Sequence, residues 1–479
     1  MFLLSKTERV GYNLNMLLTQ RDFLVLAVFI GIGLVTHFSV LGWPDQVIFD
    51  EVHFGKFITA YCCTGERFFD IHPPHAKLLI AGTSWLGGYR GGFAFDHIGQ
   101  VYEGVPIAAM RFVPAAAGMI LPLVIFVVIR QLGASFGVAL VGAAAVLLDN
   151  ALTIQTRVIA LDGVLLVATF GSLSAYLAGE RAHGWHQAGY FLLAGALAGL
   201  AAGTKFTGLA ALGLLGAIVV VRMLQRIDKQ TVMAGITNGL LIVASALIVY
   251  LAGWVLHFAL LPLPGSGDAF HVPHSLLPPQ RPNPSSFLRE TVALHKVMFT
   301  ANYNLTATHP NASSWWSWPL MQMPVFYWTD TAGLRHIYFV GNPVVWWGVT
   351  LLFVVAVLVW IIQLGQRRRE AASGIIWISV VGFCIAMLPL VRVPRALFLY
   401  HYLTPLLFSL LAGLVWLDRE LARVRLTLAG QRRLIVGVLA VLLAGFLFMS
   451  PLTYGLKLGE TTLEKDARLQ TILFWLPGP

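Results

Sequence analysis

Along the chain, runs of Leu, Val, Ile, Ala and Phe with almost no charge alternate with short polar breaks. The hydrocarbon core of a bilayer is about 30 Å thick, so a spanning helix needs about 20 mostly apolar residues. Eleven stretches answer to that requirement: 23–43, 104–130, 134–149, 162–179, 187–203, 206–222, 232–261, 343–364, 373–391, 397–417 and 434–452. The third and fifth are short, which fits a thin or locally distorted region around a cavity. The pattern predicts an all-α polytopic membrane protein, a single integral-membrane domain over residues 1–479 with no tandem repeat and no soluble domain.

Two breaks are too long to be simple turns, 44–103 and 262–342. Neither has the Gly/Ser-rich or charge-rich composition of a linker. The first is dense in aromatics, histidines and acid–base residues, and predicts amphipathic helices over Val52–Tyr61 and Pro74–Trp85 lying at the membrane interface. Pro73 and Pro74 suit the first turn of the latter, where a missing N–H costs nothing. In the second loop the aromatic stretch 315–321 reads as a further interfacial segment, because Trp prefers the headgroup level. Residues 262–285, rich in proline, read as irregular chain.

Composition agrees with this picture: 57% of residues are hydrophobic and 11% charged, against about 25% charged in an average soluble domain. The formal net charge of +10 does not point to nucleic acid, because the arginines gather at the ends of apolar runs, as positive charge does in cytoplasmic loops. Lys6, Arg9, Arg21, Arg130, Arg181, Arg222, Arg226, Lys229, Arg367–Arg369 and the Arg419–Arg433 cluster fall on one side. The short loops opposite hold only Arg157, Lys205, Arg392 and Arg395. The N-terminus is therefore expected in the cytoplasm and both long loops outside. The N-terminal segment has no small-residue cleavage site after its first apolar run, which reads as an uncleaved anchor. Cys62 and Cys63 are adjacent, and neighbours bridge only with strain, so no disulfide is expected between them.

The candidate chemistry sits at the outer face. Asp50 and Glu51 in 49–55 follow directly on the first span, where a half-dry carboxylate holds its proton more tightly and can take one from a hydroxyl; a helix N-cap is the competing reading for Asp50. In 70–77, His72, His75 and Lys77 are crowded enough to hold a phosphate; a metal is the rival idea, but the histidines lack a convincing set of partners. Arg111 is placed about two turns inside the second span. It either meets an anion or pairs with Glu103 or Asp149. Arg157, Asp162 and Lys205 raise the same question. A carboxylate pair beside several cations suits cleavage of a sugar–phosphate bond in a lipid donor, with the cations taking the departing phosphate. No Walker motif is present, and charges gathered at one face argue against a lipid or solute transporter, which places them near mid-membrane.

The strings FDEVHFG (49–55), DIHPPHAKLL (70–79), LLDNALTIQTR (147–157), GTKFTGL (203–209), SSWWSWPLM (313–321) and YHYLTPL (400–406) resemble the protein O-mannosyltransferase family of the GT-C superfamily, in order through almost the whole chain. The resemblance implies a GT-C bundle of about 11 transmembrane helices and transfer of mannose, with inversion, from a polyprenyl-phosphate-mannose donor to Ser or Thr hydroxyls of a secreted or membrane protein. It implies Asp50 as base with Glu51 beside it, Arg111 as a basic position of the second span associated with activity, His72 near the donor, and neither a cofactor nor a catalytic metal. A related transfer of a lipid-linked sugar to lipid A or another glycan would use the same face. Eukaryotic members carry a β-trefoil (MIR) insertion in the second long loop. The 262–342 loop has no room for one, which resembles the bacterial form and implies the inner membrane of a bacterium. His75 stands where that family's motif leads one to expect a small or aliphatic side chain.

Overall fold

The computed structural model describes residues 19–270, 284–304, 308–366, 373–424 and 426–457. Lys6, Arg9, Arg367–Arg369, Arg425 and most of the proline-rich stretch after Phe270 lie outside them. The chain is a helical bundle: α1 (Gln20–Gly33), α5 (Phe112–Gln131), α6 (Phe136–Leu147), α8 (Asp162–Gly179), α9 (Gly184–Ala202), α10 (Leu209–Gln225), α11 (Lys229–Leu260), α13 (Pro343–Gly365), α14 (Ser373–Val391), α15 (Leu403–Val424) and α16 (Leu428–Tyr454). Each of these helices overlaps one of the expected spans, with ends that differ by up to about ten residues. Among the described residues, eight helices are long and apolar enough to cross a membrane. The spans expected at α6, α9 and α14 fall outside that group: α6 and the apolar part of α14 are shorter, and α9 opens on Trp185, His186 and Gln187.

Helix starts follow local chemistry. Thr19 and Asp22 form a reciprocal capping box at α1, Ser135 and Asp228 cap α6 and α11, and Asn342 caps α13 with Pro343 at its first position. α8 and α15 run through the middle of the bundle, whereas α11, α13 and α16 expose Leu240, Leu247, Leu351, Leu358, Val436 and Leu447. In water that surface would be a liability; against acyl chains it is the ordinary face of a multi-pass membrane protein. α9 packs on α11 through Gly195 and Gly199. A Cβ at either would lie 2.2 Å from the Ile242 carbonyl or 2.4 Å from that of Ala246, so this small-xxx-small pair lets the two backbones meet.

The first long loop holds α2 (Glu51–Thr59), continued by a π-helical turn (Ala60–Thr64), and α3 (His75–Leu86), both where the periodicity placed them. Three features differ from the sequence expectation. The second span begins later than expected: a short α4 (Ile107–Met110) ends at Arg111, and α5 starts at Phe112. Arg111 is thus at a helix break rather than two turns inside a span. Cys62 and Cys63 are joined as a disulfide, within the π-helical turn that ends at Gly65 in the left-handed region. The second loop also contains a helix, α12 (Pro284–Asn304), and an antiparallel hairpin of β1 (Val325–Thr329) and β2 (His336–Phe339).

Candidate functional site

Asp50 and Glu51 are neighbours with opposite surroundings. Glu51 is fully buried. Its Oε1 accepts from Arg111 Nε at 2.8 Å and from the Ile159 N–H at 3.0 Å. Its Oε2 accepts from Arg111 Nη2 at 2.9 Å, Tyr102 Oη at 2.8 Å and the Ile48 N–H at 3.0 Å. Arg111 is equally saturated, for Nη1 donates to the carbonyls of Leu41 at 3.2 Å and Pro44 at 3.1 Å, and Nη2 to that of Gln46 at 3.3 Å. Every N–H of this guanidinium has an acceptor. Its partner is Glu51, not Glu103 or Asp149, and no donor group is left over for an anion.

Asp50 occupies the N-cap position of α2, yet its side chain makes no capping bond. Its carboxyl, half-buried at the surface of the site, is pushed up to about 7. Burial is the largest cause. Lys205 opposes it, Asp162 and Asp70 add to it, and Arg395 opposes it. An acid poised there can accept a proton near neutrality.

The remaining expected residues divide into those that face Asp50 and those that hold the scaffold. Lys205 Nζ donates to Asp162 Oδ1 at 2.8 Å and lies 5.4 Å from the Tyr400 ring centroid. Asp162 Oδ2 accepts from Gln155 Nε2 at 2.7 Å, and Gln155 Oε1 accepts from the Tyr327 hydroxyl. Lys77 is buried; it pairs with Asp70 and donates to the His72 carbonyl at 2.7 Å, so it shapes the 70–77 turn. The His72 ring is held well below the ordinary histidine range, first by burial and then by Lys205, Lys77, Arg395 and His401, which favours its uncharged form. Arg157 lies apart. It donates to the carbonyls of Thr36 at 2.9 Å, His37 at 2.8 Å, Ser39 at 3.0 Å and Val40 at 3.3 Å, closing the end of the first span.

His75 does not face the site. Nδ1 reaches the Gly203 carbonyl at 2.8 Å and Nε2 that of Val249 at 2.9 Å. The ring thus pins α3 to the end of α9 and to α11, in a slot that only glycine at 203 and 253 leaves open. Arg395 is the functional candidate that the sequence reading passed over. Its Nε donates to Asn302 Oδ1 at 3.0 Å. It also lines a cavity of about 500 Å³ with Thr308, His309, Ser313, Trp315 and Leu390. The signal was present, since Arg395 is a cation in a short loop on the side where cations are scarce. Among the described residues no three His, Cys, Asp or Glu side chains converge as a metal site would require.

Residues 27–263 match the family model described as dolichyl-phosphate-mannose-protein mannosyltransferase, and residues 287–472 that of the C-terminal four TMM region of protein-O-mannosyltransferase. Among curated proteins, the chain is 34% identical over 256 residues to dolichyl-phosphate-mannose--protein mannosyltransferase 4 of Candida albicans, covering 50% of this chain and 33% of the relative. It is 29% identical over 270 residues to mannosyltransferase 1 of Saccharomyces cerevisiae, covering 54% and 33%. The matched region thus spans about a third of the length of these relatives. In three dimensions the chain is similar to a chain of the S. cerevisiae protein O-mannosyltransferase Pmt1-Pmt2 complex bound to the sugar donor. The TM-score is 0.88 at 20% identity, with 97% of this chain and 93% of the other covered. ArnT from Cupriavidus metallidurans bound to undecaprenyl phosphate gives a TM-score of 0.52 at 16% identity, covering 92% and 77%. Both likenesses concern the fold, the GT-C bundle that the motifs implied.

Proposed function

Because the chain belongs to the dolichyl-phosphate-mannose-protein mannosyltransferase family, we propose that it transfers mannose from a polyprenyl-phosphate-mannose to Ser or Thr hydroxyls of a protein acceptor. The observation that carries this reading is the Asp50 carboxyl. It makes no capping bond, is half-buried and raised to about 7, and feels Lys205 and Arg395, which favour its charged form, against Asp162 and Asp70, which disfavour it.

The acceptor oxygen attacks the anomeric carbon as the bond from that carbon to the phosphate oxygen breaks, and the hydroxyl proton passes to Asp50. Attack opposite the leaving group inverts the configuration. The polyprenyl phosphate departs with the bonding pair, and its charge is met by Lys205 and Arg395, with His72 as a neutral donor. Glu51 and Arg111 act on this chemistry indirectly, by fixing the turn that presents Asp50. The loops at this end lie on the outer face of the membrane, as the bias of the short loops argues. The second loop is too short for a β-trefoil insertion, which favours a bacterial membrane with an undecaprenyl- or decaprenyl-phosphate carrier.

Incubating the purified protein with a labelled polyprenyl-phosphate-mannose and Ser/Thr peptides tests the reading. Label on the peptide hydroxyl supports it. Consumption of donor without peptide labelling, in favour of lipid A or another glycan, would replace the acceptor class.

A further inference from the structure

The residue before the base is in an unusual conformation. Phe49 has φ of 40°, a left-handed value that a bulky side chain holds only when its surroundings impose it. Those surroundings come from β1, far along the chain. The Phe49 N–H donates to the Tyr327 carbonyl at 3.1 Å. The two rings stack with centroids 4.3 Å apart and planes 7° from parallel. The hairpin also grips the approach to this turn, where Trp328 Nε1 donates to Gln46 Oε1 at 2.6 Å and the Trp328 ring meets Trp43 edge-on at 6.2 Å.

The hairpin is irregular where it makes this contact. Phe326 pairs with Tyr338 and Trp328 with Ile337, so Tyr327 is an extra residue in the ladder. A bulge of this kind re-aims a side chain and frees a backbone group from strand pairing. Tyr327 uses both consequences: its carbonyl accepts from Phe49, and its hydroxyl donates to Gln155, whose amide holds Asp162, the partner of Lys205.

We propose that Tyr327 is a positioning residue for both halves of the reaction, aiming the Asp50 carboxylate through the Phe49 stack and seating Lys205 through Gln155 and Asp162. The bulge makes one side chain the common reference for the base and for the cation that receives the leaving group. The inference rests on the mannosyl-transfer reading above.

The two arms of Tyr327 can be cut separately, using full-length protein in nanodiscs, a short-chain synthetic polyprenyl-phosphate-mannose and a Ser/Thr peptide. Phe49→Gly accepts the left-handed backbone but removes the ring. It is expected to lower kcat by about ten- to a hundred-fold, with peptide KM within about two-fold, and to move the acid limb of the kcat–pH profile downward as water reaches Asp50. Tyr327→Leu, which loses both the stack and the hydroxyl, is expected to lower kcat likewise and to raise donor KM as well. Tyr327→Phe keeps the stack and loses only the hydroxyl; donor KM should rise, and as Lys205 loosens the acid limb should move upward, opposite to its shift in Phe49→Gly. If the folded Phe49→Gly protein has the kcat and pH profile of the parent, the inference is wrong. The same holds if Tyr327→Phe leaves donor KM unchanged, or if the variants lose melting temperature alone. Should Tyr327→Leu fail to fold, Phe49→Gly and Tyr327→Phe decide the matter. A parent protein that labels no peptide overturns the functional reading itself, and the inference with it; a parent that labels peptide while the variants match it overturns the inference alone.

Discussion

Arg111 and Glu51 form a fork-to-fork ion pair, Nε to Oε1 at 2.8 Å and Nη2 to Oε2 at 2.9 Å, with both side chains fully buried. The pair ties the turn carrying Asp50 to the break between α4 and α5. Removing one partner strands a charge in a dry site, which costs about 3–5 kcal/mol. Arg111→Ala and Glu51→Ala are each expected to lower the thermal midpoint in detergent by that equivalent. The double variant should be less destabilised than their sum. Arg111→Lys should recover little, because a point charge cannot reproduce the fork. Additive losses would show that the two do not act as a unit.

Asp50→Asn keeps the size of the side chain and loses the proton-accepting oxygen charge. Turnover is expected to fall by about 10²–10⁴-fold at an unchanged melting temperature, since no capping bond depends on this group. In the parent protein the base must be unprotonated, so kcat/KM should rise with pH through an apparent value near 7, where burial holds this carboxyl. The sign for charge variants follows: Lys205 and Arg395 favour the carboxylate, so Lys205→Met or Arg395→Gln should displace that limb to higher pH. A limb fixed at the ordinary carboxylate value would remove Asp50 from the role of base.

The slot that holds the His75 ring predicts a steric effect. A Cβ at Gly203 would sit 2.2 Å from His75 Nδ1, and one at Gly253 2.2 Å from Cε1. Gly203→Ala and Gly253→Ala are expected to destabilise by about 1–3 kcal/mol through overpacking, and His75→Ala should relieve part of that loss in either background. Differential scanning of the single and paired variants checks this; no relief would mean that the ring is not the obstacle.

Phosphate is already a good leaving group, and Lys205 and Arg395 can neutralise it, so the proposed reaction calls on no divalent ion. Mannosyl transfer should survive exhaustive EDTA treatment, and His72→Ala should lower it to the same degree with or without chelator. Activity abolished by EDTA and restored by one divalent ion would overturn this mechanism.

The helices were largely legible in the sequence because bilayer thickness imposes a length on apolar runs, and α2 and α3 were legible from their amphipathic spacing. Residues near Asp50 were found as candidates, but their division of labour was not. Glu51 and Arg111 stood out because both are charged and sit in apolar company, but that they pair with each other was not legible. Their partners, the carbonyls of Leu41, Pro44 and Gln46 among them, are invisible until the backbone is folded. The β1–β2 hairpin was missed because its strands are only five and four residues long, too short for alternation to stand out from the aromatic stretch before them. The Cys62–Cys63 bridge was missed because adjacent cysteines were expected to bridge only with strain, and the π-helical turn that contains them has no periodic signature in the sequence.

The four carbonyls that converge on Arg157, from Thr36, His37, Ser39 and Val40, bear on how variants of this protein can be engineered. A helix end leaves its last carbonyls without partners, and in a bilayer no water is at hand to supply them. Arg157, on the connection that leads into α8, supplies donors from within, beside the Tyr454 hydroxyl on Thr36 and the Trp43 N–H on Val40, so these carbonyls are met by protein groups. The stretch from Val40 to Asp50 is then a ruler of fixed length between that grip and the acidic turn. Adding or deleting a residue along it would place the carboxylate at the wrong height for the sugar even in a membrane of altered thickness. Swapping lipid composition should move the protein's tilt before it moves that height.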